Sequence, residues 1–358
     1  MIADSGLQTV INDEADIVAE VDGTMREEWT AFVHAHPQGS FFQTPDMYDL
    51  VDATNRWTPV VIAARRGGIL SGILVGVIQR EHTGPIGALS ARTVVWGGPL
   101  VDRSSDPNVD TAGALLSRLV DAVRKRSVYV EVRNMHDVND FRPEFEKHGF
   151  TYEDRLNFLV ATADVRQARQ RLSSSKKRQI NKSRRAGAEI VEPADVADVR
   201  KFYNILRHLY RTRVRRPLPD WSFFESFYRI GRDRHSGTFL LVRYEGRIVG
   251  GMMCPKFGHR TIYEWYVCGL DREFRDVYPS VLATWAPIEY AGRNGIPAFD
   301  FMGAGKPDED YGVREFKSKF GGQEVSFGRY LRVNRPLAYG LGKLGMAVLQ
   351  RGVGKPGF

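Results

Sequence analysis

The stretch Thr238–Phe257, TFLLVRYEGRIVGGMMCPKF, decides the fold. Two runs rich in β-branched and aromatic residues flank Glu245-Gly246, the pattern of a β-hairpin. Working outward, the same plan stands earlier in the chain, where TPVVIAAR and ILSGILVGVIQ flank Gly67-Gly68. Gly68 and Gly72 correspond to Gly246 and Gly250 at one shift of 178 residues. A second correspondence supports the first: a helical pattern over Thr111–Arg126 leads to the strand VYVEVR, and one over Ser280–Arg293 leads through Asn294-Gly295 to AFDFM. Strand, strand, helix, strand, written twice, predicts two similar α/β modules with mixed sheets rather than a solenoid, whose period is far shorter. The expected division is an N-terminal module over 1–162, a C-terminal module over 163–335 and a terminal amphipathic helix over 336–358. In that helix Leu337, Leu341, Leu344 and Val348 share one stripe, suited either to docking on its own domain or to lying on a membrane surface.

Composition agrees with a folded protein. Of 358 residues, 42% are hydrophobic and 26% charged, within the globular range and long enough for about two domains. Asp4, Asp13, Glu14, Asp16 and Glu20 occupy the first twenty positions, so no secretory signal is expected, and no run reaches the roughly 18 apolar residues needed to span a bilayer. Cys254 and Cys268 offer neither a disulfide framework nor a metal-ligand pattern. Both are expected to be reduced core thiols in a cytoplasmic protein, with peripheral contact at the inner face of the membrane as a further option.

The net charge of +8 is unevenly placed. Between Arg169 and Arg216 there are 15 Lys and Arg against four acids, a local excess of +11. Such clustering focuses the field on an anionic partner: nucleic acid, a nucleotide-sugar, phospholipid headgroups or a pyrophosphate. Within it, RLSSSKKRQINKSRRAG places Arg178, Lys182 and Arg185 on one stripe of a helix capped by Ser173 to Ser175, either a solvated face or a phosphate-binding one. Arg207, Arg211, Arg213, Arg215 and Arg216, interleaved with His208 and Tyr210, add guanidinium groups suited to bidentate phosphate contact.

Unusual chemistry gathers in Phe299–Gly322, FDFMGAGKPDEDYGVREFKSKFGG. Glycines 303 and 305 let backbone approach a ligand, and Lys317 and Lys319 sit beside Phe316 and Phe320. Asp300 lies inside the apolar run AFDFM, where a carboxylate is either paired or raised in pKa; it is a candidate base or a turn cap. Glu264, between Tyr263 and Trp265 on a strand, is the competing candidate base or a structural salt-bridge partner.

The order SFFQTPDMYDLV, GGPLV, EVRN, GFTYEDRLNFLV, KKRQINKSRRAG, TIYEWYVCGLDREF, NGIPAFDFMGAG and YGVREFKSKFGG, over roughly residues 25 to 335, resembles the Fem family of peptidoglycan-bridge aminoacyltransferases and their acyltransferase relatives. The resemblance implies two tandem GNAT-like modules, the second joining an activated acyl or aminoacyl group to an amine of a cell-envelope, polysaccharide or lipid-linked precursor. It places Lys317 on the family's lysine, where its charge would stabilise a developing oxyanion or a phosphate-bearing leaving group. With Glu264 and Asp300 as catalytic candidates, the expected substrate-binding set is Arg178, Lys182, Arg185, Arg215, Arg216, Tyr263, Tyr311, Phe316 and Lys319. No cofactor is expected to be bound permanently; the donor would be an aminoacyl-tRNA or an acyl-CoA. The partner would carry phosphate, as a nucleotide-sugar, a lipid-linked precursor or the tRNA itself. Two features depart from the pattern. No heptad repeat marks a coiled-coil arm between Phe202 and Gly237, and Arg272–Ser280 contains no glycine where GNAT enzymes grip the coenzyme A pyrophosphate. Two alternatives therefore stay open: a non-catalytic RNA- or anion-binding protein on the doubled fold, and an acyl-CoA-dependent N-acyltransferase.

Overall fold

A computed structural model describes residues 16–18, 25–81, 87, 90–102 and 109–351. In chain order the strands are β1 (Asp16–Val18), β2 (Trp57–Arg66), β3 (Ile69–Gln79), β4 (Arg92–Trp96), β5 (Leu100–Val101), β6 (Tyr129–Arg133), β7 (Thr151–Glu153), β8 (Leu156–Ala161), β9 (Glu189–Val191), β10 (Gly237–Tyr244), β11 (Arg247–Phe257), β12 (Thr261–Tyr263), β13 (Tyr266–Gly269), β14 (Ala298–Asp300), β15 (Gln323–Ser326) and β16 (Arg329–Val333). The helices are α1 (Met25–Ala35), α2 (Pro45–Asp52), α3 (Val109–Val123), α4 (Arg142–Lys147), α5 (Val165–Arg171), α6 (Ser174–Arg185), α7 (Val196–Leu209), α8 (Trp221–Asp233), α9 (Pro279–Arg293), α10 (Gly312–Ser318) and α11 (Pro336–Arg351). Among the described residues, no helix is long and apolar enough to cross a membrane.

Two compact units result. One comprises the chain up to Val51, Arg56–Glu153 and Arg329–Gly345; the other is Asp154–Gly328 with Asp52–Asn55 and the end of α11. Each holds an eight-stranded mixed sheet. In the first the order is β1-β2-β3-β4-β6-β16-β7 with β5 on β3; in the second it is β15-β8-β14-β12-β11-β10-β9 with β13 on β11. The two hairpins turn by the same device. Gly67 and Gly68 have φ of 57° and 83°, and Glu245 and Gly246 have 49° and 71°, the positive values that a twist-matched two-residue turn requires at both positions. The correspondence extends to a defect: the ladder shifts register between Ala64 and Arg65 in one hairpin and between Val242 and Arg243 in the other, again 178 residues apart. A side-chain methyl at Gly72 would lie 3.0 Å from Thr111, so this glycine lets the following helix lie close on its hairpin, whereas one at Gly250 would first strike the Cys268 carbonyl of β13 at 2.7 Å and then lie 3.3 Å from Pro279 of the following helix.

The expected boundaries at 162 and 335 need correction. Leu156–Ala161, assigned from sequence to the first module, pairs with β14 and β15 in the second sheet. Arg329–Val333, assigned to the second, inserts between β6 and β7 of the first. Tyr330 stacks on Phe145 at 3.8 Å in that core, and Arg329 reaches Glu131 at 2.7 Å. Backbone pairing with a distant partner decides membership here, and an apolar strand pattern does not name its partner. The first core gathers Ile62, Leu74, Leu115, Leu119, Phe145 and Tyr330; the second gathers Leu240, Met252, Leu282, Trp285, Phe299 and Phe320. Cys254 and Cys268 are buried free thiols of the second unit.

Candidate active site

In the second sheet two parallel strands run together and then part. β12 pairs with β14 from Thr261–Ala298 to Tyr263–Asp300, and one further bond, Glu264 N–H to the Asp300 carbonyl at 2.8 Å, closes the shared ladder. Beyond it the Trp265 N–H turns to the Met253 carbonyl and β13 continues on β11, while Phe301 N–H donates to Phe158 and Ala304 N–H to Leu156. The carboxyl ends of parallel strands that separate are where α/β sheets open a crevice to ligands. Glu264 stands at this fork.

The other wall of the fork is the loop from Phe301 to Gly305, and its conformation is costly. Met302 has φ of 58°, a left-handed value that strains a non-glycine residue by roughly 1–3 kcal/mol. Gly303 (φ 131°) and Gly305 (φ 85°) take conformations that only glycine adopts freely, and a side chain at 305 would strike Tyr311. Four side chains hold the loop in place. Asn157 accepts from the Gly303 N–H and donates to Asp300, each at 2.7 Å, and Asp300 also accepts from the Met302 N–H at 2.6 Å. Arg314 of α10 donates to the carbonyls of Ala304, Lys306, Pro307 and Glu309. Lys317, 7% exposed, ion-pairs with Glu264 at 2.7 Å and donates to the carbonyls of Phe301 and Gly303 at 2.8 Å each.

That geometry revises the expected role of Lys317. An ammonium has three hydrogens, and all three are taken, so none is left for an oxyanion. The lysine ties the fork's carboxylate to the loop. Asp300 is 4% exposed and acts as a turn cap; burial pushes its carboxyl above the ordinary range, against the opposing donors Asn157 and Met302 and the charge of Lys317. Glu264 is 8% exposed, with one carboxylate oxygen on Lys317.

The remaining expected residues divide. Tyr263 is buried, its phenol raised in pKa by that burial and by Asp300, so it serves the core rather than a substrate surface. Phe316 packs against Phe320 and carries the Lys176 ammonium over its ring at 4.0 Å, which occupies the face expected to meet substrate. Burial brings that lysine's pKa down to about 8, with Lys319 acting in the same sense and Asp271 opposing. Lys319 pairs with Glu315 at 2.7 Å on the surface. Tyr311 lies against Gly305. Arg178, Lys182 and Arg185 form the expected exposed stripe of α6, which Ser173 caps, although Lys182 is engaged by Asp276 at 2.6 Å. Arg215 and Arg216 are exposed just past a π-helical turn, Tyr210–Val214, with Arg215 left-handed.

Tyr210, which opens that turn, was absent from the expected set. Burial pushes its phenol up to about 12; Arg216 opposes this, and Cys268, Glu264 and Tyr311 add to it, so the hydroxyl shares an environment with the fork. Single-turn π-bulges recur at functional sites, and only the aromatic among arginines at 207–216 hinted at this one. Beside it, Asn204, Arg207, His208, Arg211 and Thr212 line a groove of about 390 Å³, a cationic concavity of a size to take a phosphate-bearing group.

At α9 the structure supplies the reason for the missing glycine loop. The Ser280 N–H and hydroxyl both donate to Asp271, so a carboxylate of the chain itself fills the helix N-terminus where an anion would sit. Tyr278 and Pro279 start the helix, with Tyr278 left-handed.

These elements define a GNAT-type acyltransferase fold, doubled. Residues 168–318 match the model of the acetyltransferase (GNAT) domain. The solved structure of FemX is 15% identical, with 91% of this chain and 99% of that one covered and a TM-score of 0.67. A tandem GNAT protein from the clavulanic acid biosynthesis pathway is 15% identical over 90% and 99% of the two chains, with a TM-score of 0.58. The C-terminal domain of a lysylphosphatidylglycerol synthetase from Agrobacterium fabrum, described as putative, is 16% identical over 91% and 96%, with a TM-score of 0.57. No curated protein sequence matches. The chain thus has the fold of Fem-like, GNAT-type proteins, with two GNAT-like modules in tandem.

Proposed function

We propose that this protein transfers an acyl or aminoacyl group to an amine of a phosphate-bearing cell-envelope precursor, and that Glu264 is the catalytic residue. One observation carries the reading: at the fork of β12 and β14 a buried carboxylate is held by Lys317 through one oxygen, which leaves the other to accept a proton. The amine lone pair attacks the donor's carbonyl carbon, the ester or thioester bond to the leaving group breaks, and the amine proton passes through Glu264 to that leaving group. Lys317, Asp300, Asn157 and Arg314 are positioning residues, because they fix the loop wall against which the reactants are held close. Tyr210 lies within electrostatic reach of both Glu264 and Tyr311. Arg207 and Arg211 in the groove, with Arg215 and Arg216 beside it, take the phosphates; Arg178 and Arg185 extend the cationic surface. The Asp271 cap favours an aminoacyl ester of tRNA over coenzyme A held at the start of α9.

The test is product formation. Purified protein is incubated with aminoacyl-tRNAs or acyl-CoA thioesters and with nucleotide- or lipid-linked amines, and the new amide is detected by mass spectrometry. Replacing Arg207 and Arg211 with alanine raises KM for the phosphate-bearing substrate about tenfold with kcat held, as expected when binding is lost equally from ground and transition states. If no donor and acceptor yield an amide, while the protein binds generic RNA with steep salt dependence, the non-catalytic alternative replaces this one.

A further inference from the structure

The end of the first unit carries a feature the transfer chemistry does not use. In α11, Leu337 is 87% exposed and Leu341 71%, two of five large hydrophobic residues left exposed among the described residues. They lie one turn apart on the same face. Tyr339 lies on the opposite side by helical register, and it anchors the helix by packing edge-on against Tyr129 at 5.3 Å. The leucines therefore face away from the unit, and a methyl added at Gly340 or Gly342 would meet nothing within 4 Å. Leu344 and Val348, which continue the stripe in sequence, lie outside the described side chains.

Along the sequence, the charge of the segment that holds this stripe is of one sign. From Val325 to Phe358 the sequence contains no Asp or Glu and six cations: Arg329, Arg332, Arg335, Lys343, Arg351 and Lys355. Arg335 at the start of α11 bonds the Lys125 carbonyl, which brings the helix beside exposed Lys125 and Arg126; Arg124 next to them pairs with Asp121 at 3.7 Å. Arg126 in turn lies close enough to Arg80 for their charges to interact. Lys343 sits over the Tyr339 ring at 4.8 Å. An outward leucine stripe rimmed by lysine and arginine matches an anionic bilayer, where leucines enter the headgroup boundary and cations meet lipid phosphates. A second copy of the chain would bring the same cations together.

We propose that α11, with the rim of Arg80, Lys125 and Arg126, is a peripheral anchor to anionic membrane surfaces. It stands independently of the transfer reaction and is tested without an activity assay. The full chain is sedimented with phosphatidylglycerol-containing vesicles and with pure phosphatidylcholine vesicles. The expected result is binding to the first, weakening with salt, and at least about tenfold less to the second. Leu337→Asp with Leu341→Asp lowers binding to the anionic vesicles at least about tenfold, with the circular dichroism melt unchanged because both positions are exposed. Lys125→Glu with Arg126→Glu lowers it by a similar factor and flattens the salt dependence. The proposal is overturned if the parent fails to sediment, if either pair of substitutions leaves sedimentation unchanged, or if the stripe proves to be covered by a second copy, seen as a dimer that the leucine substitutions dissociate.

Discussion

Lys317→Met lowers the unfolding free energy by about 3–5 kcal/mol, the cost of removing one partner from a buried ion pair. Methionine fills most of the volume but leaves the Glu264 carboxylate, 8% exposed, without its cation and strips donors from the carbonyls of Phe301 and Gly303. Each buried acceptor left unmade adds about 1–3 kcal/mol in isolation, and the effects overlap because one side chain serves all three. Urea unfolding followed through Trp265 and Trp285 measures the loss. Adding Glu264→Gln to Lys317→Met recovers part of it, because a neutral amide tolerates burial where a lone carboxylate does not. A loss below about 1 kcal/mol would mean that the ammonium does not hold the fork, and Lys317 would return to the role its sequence motif first implied.

How much of this was legible varies with the range of the interactions. The doubled plan could be read because hairpin turns and strand periodicity are local, and Gly68, Gly72, Gly246 and Gly250 carry the repeat in residue identity. Ser173 before α6 was legible for the same reason, since caps act within one turn. The exchange of β8 and β16 between sheets was not, because LNFLVA and RYLRV show strand pattern without naming a partner. YGVREFKSKFGG, Glu264 and Asp300, apart in the sequence, meet at one end of the second sheet, where Lys317 pairs with Glu264 and bonds the loop that follows Asp300. What the motif could not disclose was that Lys317 spends its hydrogens on Glu264 and two carbonyls, or that Asn157, from the far end of the unit's sequence, completes the loop clamp. Tyr210 was passed over because nothing local connects HLYRTR to the end of β12; only the folded sheet does.

Glu264→Gln lowers kcat by about 10²–10⁴-fold with KM little changed, the usual scale for removing a group that takes a proton in the transition state. The substitution keeps shape, and the amide oxygen still accepts from Lys317, so the fork stays assembled while its proton acceptor is lost. A merely structural Glu264 would instead lose activity only in step with the unfolded fraction. Asp300→Asn provides the contrast. Burial holds the Asp300 carboxyl above its ordinary pKa, so the folded protein binds that proton more tightly than the unfolded chain. Its contribution to stability is therefore full below the unfolded value and is lost as pH rises through the folded one. Asparagine carries no such proton: stability of the variant is flatter across that window, and its amide oxygen still accepts from Asn157 and the Met302 N–H. With the loop retained, kcat of Asp300→Asn stays within about tenfold of the parent, well short of the loss of a general base. If Asp300→Asn loses activity as deeply as Glu264→Gln and its pH–rate profile loses the acidic limb, the proton passes through Asp300, and the loop cap rather than the fork is where the amine is activated.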